Sequence, residues 1–201
     1  MEYFQGVVII LKLLYLTGSP ATGKSTITNA IFQMEPSIQI IRYSDEIKNF
    51  YAESKRGQFT TSQLRMESSK IISHNDISNI DQYILKKIQT STANYIILES
   101  HAITVESYGF RATPFSVQLL GMVAPNLIVC LYSEADLIFE RIKNNPQGRL
   151  LQSTENIHVG QFLQMSLALQ YGILTNAEIH FINTQHEPQV VAQQLVHMLI
   201  A

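Results

Sequence analysis

Cysteine is almost absent: Cys130 is the only one in 201 residues. One thiol can form neither an internal disulfide nor a cysteine metal cluster, which fits a reducing cytoplasm. It lies within the apolar run Leu127-Ile128-Val129-Cys130-Leu131, where a small buried thiol is expected. An excess of positive charge is also missing. Fourteen Lys and Arg against 16 Asp and Glu leave a net charge of −2, and no Lys/Arg run occurs. The electrostatic footprint of a nucleic-acid binder is therefore lacking. The six histidines are scattered without ligand spacing. No apolar run is long enough to cross a bilayer: residues 7–16 cover only about half of the ~20 residues required. They also lead directly into the motif described next, so they are not read as a cleavable signal peptide. There are no internal repeats and no low-complexity linker, and a chain of this length suits one domain with a real core. Residues 1–201 are thus expected to be a single domain. Glu2-Tyr3-Phe4-Gln5-Gly6 resembles the remnant of a protease-cleavage tag, and residues 1–6 are left out of the fold argument.

What is present is decisive at one place. Gly18-Ser19-Pro20-Ala21-Thr22-Gly23-Lys24-Ser25-Thr26 is a complete G-x-x-x-x-G-K-[ST] sequence. The glycines let the backbone turn tightly around an anion. Successive N–H groups and the positive end of the following helix then face the phosphates. Lys24, expected to be exposed in the empty loop, can bridge β and γ phosphates, and the Ser25 hydroxyl is placed to ligate Mg²⁺. The context agrees, with an apolar strand at 11–16 and a helix at 25–34. The residues thus point to a bound nucleoside triphosphate.

Further strands are expected at 38–43, 95–98, 126–132 and 178–182, and helices at 46–54, 62–73, 76–91, 119–123, 157–171 and 187–199. Ser44-Asp45 reads as a helix cap, and Ser133-Glu134-Ala135-Asp136 as a capping box opening a helix that runs to Lys143. Continuous apolar strands separated by helices indicate a three-layer α/β/α fold with a five-stranded, mostly parallel sheet.

The guanine motif N-K-x-D and the switch motif D-x-x-G do not occur, which argues against a GTPase. A small kinase fits better, and it needs an acceptor site, an acidic partner for Mg²⁺ and a closing lid. Ser44 and Asp45 leave the carboxyl end of the second strand, as caps or as substrate contacts. Arg65 either clamps an acceptor phosphate or is a solvated helix arginine paired with Glu67. Glu99, directly after an apolar strand, is a Mg²⁺ partner or a capping carboxylate. His101 either holds substrate or is an ordinary loop residue. Residues 144–153 are the lid candidate, with Arg149 its catalytic cation and Arg141 structural.

Together these pieces resemble the archaeal-type adenylate kinases. The resemblance covers nearly the whole chain from Leu13. It rests on Gly18–Thr26, Gln63-Leu64-Arg65, Glu99-Ser100-His101, Tyr108-Gly109, Pro125-Asn126-Leu127-Ile128-Val129 and Leu169–Ala177, in that order. It implies a P-loop nucleoside monophosphate kinase with ATP and Mg²⁺ as cofactors and a short lid. Arg65 would hold the acceptor phosphate, His101 would line the pocket, and Arg149 would be a lid arginine. Two further family arginines fall at Gln147 and Met165-Ser166, and Arg111 is a candidate to replace one of them. The expected reaction is transfer of the γ-phosphate of ATP to a nucleoside monophosphate, AMP by default. The alternatives are a kinase of another small metabolite and a nucleotide-gated binding protein.

Overall fold

The structure is a computed structural model that describes residues 11–54 and 57–201, so the tag-like residues lie outside it. In chain order it contains β1 (Lys12–Gly18), α1 (Lys24–Met34), β2 (Gln39–Arg42), α2 (Tyr43–Glu53), α3 (Thr61–Ile71) and α4 (His74–Gln89). There follow β3 (Tyr95–Glu99), β4 (Ile103–Glu106), β5 (Gly109–Ala112), α5 (Val117–Val123) and β6 (Leu127–Tyr132). The chain ends with α6 (Ala135–Asn144), α7 (Thr154–Thr175), β7 (Glu178–Asn183) and α8 (Pro188–Ile200).

Five strands form one sheet in the order β2-β3-β1-β6-β7, and every neighbouring pair is parallel. Strand alternation explains why β1 is continuously apolar from Leu13 to Leu16. Leu13 and Tyr15 enter the core under α4, α5 and α7, whereas Leu14 and Leu16 enter the core under α1 and α8. With both faces covered, none of these four positions needs to be polar. Cys130 is buried and free, as its apolar setting implies, and burial pushes its thiol up to about 12. Among the described residues no helix is long and apolar enough to cross a membrane.

Three expectations are corrected. β4 and β5 form an antiparallel hairpin where no strands were expected. Each is only four residues long, and the alternation Ile103-Thr104-Val105-Glu106 is its one local signal. Ser44-Asp45 does not cap α2: Arg42 is the N-cap, and both residues lie in the first turn. Ser133 does not form a capping box either. Its N–H donates to Gln161 Oε1 at 2.9 Å and its carbonyl accepts from Gln161 Nε2 at 3.0 Å. The helix accordingly starts at Ala135 with Glu134 as N-cap. By contrast, Ser153 caps α7, accepting from the N–H of Asn156, and that helix runs for 22 residues.

Candidate active site

The phosphate loop leaves the carboxyl end of β1, the central strand, where open parallel sheets place their ligands. Gly18 has φ +146°, and a Cβ there would lie 2.5 Å from the carbonyl oxygen of Leu131. Only glycine fits such a close approach. Gly23 (φ 91°) and Ala21 (φ 63°) also adopt left-handed backbone, which curls the loop into a cradle. Lys24 corrects the expectation of an exposed lysine. It is buried, with Nζ donating to the carbonyls of Gly18 and of Ser19, the latter at 2.9 Å. Burial lowers its ammonium to about 8, with Glu99 opposing the shift and Arg149 and Arg65 adding to it.

Ser25 and Glu99 meet: the Ser25 hydroxyl donates to Glu99 Oε1 at 2.8 Å. The other oxygen, Oε2, accepts from Thr28 Oγ1 at 2.9 Å and from Arg42 Nε at 3.2 Å. Register explains this grouping, because Arg42 at the end of β2 lies beside Glu99 at the end of β3. Sequence reasoning missed both Arg42 and Thr28. Their partner lies far along the chain, and no local pattern reveals strand order.

The loop opens into a cleft of about 950 Å³, lined by Pro20 to Thr26, Ser44, Arg65, Glu99, His101, Arg111, Arg141 and Arg149 among others. Asp45 is not in that lining; it pairs with Lys48 at 2.7 Å, and its position gives no support to an acceptor contact. His101 is held neutral. Burial, then the charges of Lys24, Arg65 and Arg149, lowers its imidazole to about 3. Arg149 is half-buried and lowered to about 10 by desolvation and by Arg65. Its Nη1 reaches the carbonyls of Pro146 and Asn145 at 3.4 and 3.5 Å. Arg65 Nη1 bonds the carbonyl and the side-chain oxygen of Gln147, so the segment between α6 and α7 touches α3. Arg141 acts as a brace, donating to the carbonyl of Ala21 in the loop and to that of Thr184 after β7.

The cleft is also lined by Tyr43, Ile47, Leu64, Ile72 and Ile77, a largely apolar set, and by Arg65 and Arg111. Arg111, on β5, donates to the carbonyl of Ile72 at 3.2 Å. The cradle and its donors suit a triphosphate, and the Ser25–Glu99 pair suits Mg²⁺, which takes one or two protein oxygens and completes its shell with phosphates and water. Among the described residues no cluster of His, Cys, Asp and Glu suggests a different metal.

A phosphate loop in a cleft that is also lined by residues of α2, α3 and the arginine-bearing segment between α6 and α7 is the arrangement of a P-loop kinase. The family model AAA_17, an AAA domain, matches residues 17–158, and the chain belongs to that family. The resemblance to archaeal adenylate kinases extends over most of the chain. The adenylate kinase of Pyrobaculum aerophilum is 25% identical, with 90% of this chain and 93% of the relative covered. That of Methanocaldococcus jannaschii is 24% identical, with 94% and 98% covered. In fold the chain is similar to shikimate kinase from Acinetobacter baumannii, with a TM-score of 0.59, 15% identity and coverage of 94% and 93%.

Proposed function

We propose that the protein transfers the γ-phosphate of ATP to a nucleoside monophosphate, with AMP as the default acceptor. The observation that carries this reading is the character of the second chamber. Ile47, Leu64, Ile72, Ile77 and Tyr43 offer an apolar wall to a planar base, and Arg65 and Arg111 stand at its edge as partners for a phosphate. A polyhydroxy acid such as shikimate would leave its hydroxyls facing that wall unpaired, at ~1–3 kcal/mol each. The adenylate kinases similar to this chain over most of its length support the same choice.

In this reading Lys24 and the N–H groups of residues 18–23 hold the ATP phosphates, while Ser25 and Glu99 would hold Mg²⁺. When bound, that ion withdraws charge from the phosphate oxygens. Arg65 fixes the acceptor phosphate, and His101 and Ser44 line its chamber. An oxygen of the acceptor phosphate attacks the γ-phosphorus, the bond to the β–γ bridging oxygen breaks, and ADP leaves with that electron pair. A phosphate oxygen is already anionic at neutral pH, so no residue has to accept a proton. Arg149, on the lid segment 144–153, neutralises charge on the moving phosphoryl group. No covalent enzyme intermediate is formed.

A second reading, a nucleotide-gated binding protein, is favoured by one observation. Gln147 stands where a second lid cation would be, and its oxygens occupy Arg65. ADP production from ATP and Mg²⁺, across a panel of nucleoside monophosphates with shikimate and gluconate as controls, tests the proposal. Turnover is expected with AMP. No ADP with any monophosphate would contradict it.

A further inference from the structure

The side chains beside the phosphate loop divide the two oxygens of Glu99 unequally. Oε1 receives one donor, the Ser25 hydroxyl at the start of α1. Oε2 receives Thr28 Oγ1 at 2.9 Å and Arg42 Nε at 3.2 Å. The guanidinium does more than neutralise a carboxylate. Its Nη2 also donates to Thr28 Oγ1 at 3.0 Å and to Asn29 Oδ1 at 2.6 Å, so one planar fork spans Glu99 and two side chains of the helix that carries Ser25. Thr28 Oγ1 accepts from Arg42 and has one proton to give, for which Glu99 Oε2 at 2.9 Å is a nearer acceptor than the Ser25 carbonyl at 3.3 Å; the carboxylate cannot rotate without breaking several contacts at once. Glu99 is itself only 8% exposed, which leaves few other orientations open to it.

We infer that Arg42 is a positioning residue. It ties down Glu99 Oε2 so that Oε1, the oxygen paired with Ser25, is presented to the divalent cation of the bound nucleotide. The inference rests on the reading of Ser25 and Glu99 as the Mg²⁺ partners given above. Arg42 is not a catalytic residue, since its contacts run to Glu99, Thr28 and Asn29 rather than into the phosphate cradle. Its charge partly offsets that of Glu99, and its planar geometry sets the orientation. Outer contacts of this kind are worth about 10–100-fold in metal affinity. Orientation, more than charge, is what the residue supplies, so lysine is a poor substitute: a point charge on a flexible stem cannot reproduce the fork.

The test is calorimetric and does not need turnover. ATP binding is measured in EDTA and in excess Mg²⁺ for the wild type, Arg42→Gln and Arg42→Lys, with thermal midpoints recorded for each. The ratio of the two affinities is the gain that Mg²⁺ confers. That gain is expected to fall about 10-fold or more in Arg42→Gln and nearly as far in Arg42→Lys, while metal-free affinity changes by no more than about 3-fold. In a Glu99→Gln background the Arg42 substitutions should cause no further loss. If Arg42→Gln does not fold, Arg42→Lys, which keeps the positive partner of Glu99, carries the comparison. Equal weakening with and without Mg²⁺ would make Arg42 a phosphate contact and overturn the inference. So would an unchanged gain in the folded variants, which would leave Arg42 only a tie between β2 and α1. A wild type whose ATP binding ignores Mg²⁺ would instead overturn the Ser25–Glu99 reading on which it rests.

Discussion

Arg65 and Gln147 lie 82 residues apart in the chain, yet one guanidinium nitrogen of Arg65 donates to the carbonyl of Gln147 at 3.2 Å and to its side-chain oxygen at 3.1 Å. This contact joins α3 to the proposed lid across the mouth of the cleft. The next residue, Gly148, has φ +79°, and a Cβ there would lie 2.5 Å from Ser62 Oγ and 2.6 Å from the Ser62 carbonyl oxygen. Lid and helix thus meet through a bidentate arginine and through a glycine that only just clears the helix backbone.

Gly148→Ala is therefore expected to disfavour this closed arrangement without unfolding the protein. A strained φ and a blocked backbone carbonyl cost on the order of 1–3 kcal/mol, so kcat/KM should fall about 10-fold or more. The thermal midpoint should stay close to that of the wild type, because the segment lies outside the two main cores. Steady-state kinetics alongside a melting curve checks this, and a large drop in midpoint with unchanged kinetics would contradict it.

The phosphate loop was legible because its chemistry is contiguous: one stretch of residues 18–26 carries the cradle, the lysine and the hydroxyl. Glu99 was legible because a carboxylate directly after an apolar strand needs a partner. Arg42 was not, since its role depends on β2 lying beside β3, and register is a tertiary fact. The β4–β5 hairpin escaped for a different reason. Strands of four residues, of which β4 buries one position and β5 none, carry too little periodicity to stand out. Ser133 shows the opposite failure, where a good local signal was overridden by Gln161, a buried side chain 28 residues away.

Lys24 yields a prediction with two opposite signs. In the folded protein its ammonium titrates at about 8, lowered from 10.5 mainly by burial. Between those values the unfolded chain holds more protons, so the ligand-free protein should gain stability as pH rises from about 8 towards 10.5. ATP binding needs the charged form, so affinity should be full below about pH 8 and decline above it. Lys24→Met should abolish both slopes. Calorimetry and melting curves across this range check it, and parallel slopes of the same sign would be inconsistent with the assignment.

His101 should not act as a proton carrier. With its imidazole lowered to about 3, it is neutral throughout the range in which histidines normally titrate. The pH–rate profile between about 5 and 7 should show no histidine step. His101→Gln, which remains neutral and hydrogen-bonding, should retain most of the activity. A bell-shaped profile whose acidic limb disappears in that variant would show that the histidine titrates.

Arg149 separates the kinase from the binder. Arg149→Lys keeps the charge but loses the fork that spans two phosphate oxygens. If the residue acts in the transition state, single-turnover rates should fall about 10-fold or more while the ATP dissociation constant shifts by a factor of a few. Equal losses in both quantities would assign Arg149 to ground-state binding and favour the binding-protein reading.

In the proposed function this one cleft of about 950 Å³ takes two nucleotides at once, a triphosphate on the loop and a monophosphate against the Ile47–Leu64–Ile72–Ile77 wall. Titration with a bisubstrate dinucleotide, two adenosines joined by a polyphosphate bridge, reports on both halves of the cleft at once. One molecule should bind per chain, more tightly than ATP by about 100-fold or more, because the second half no longer loses its own translational freedom. Affinity should drop on substitution of either Lys24 or Arg65. A dinucleotide that binds no more tightly than ATP, and that ignores Arg65→Ala, would contradict a nucleotide-accepting second chamber.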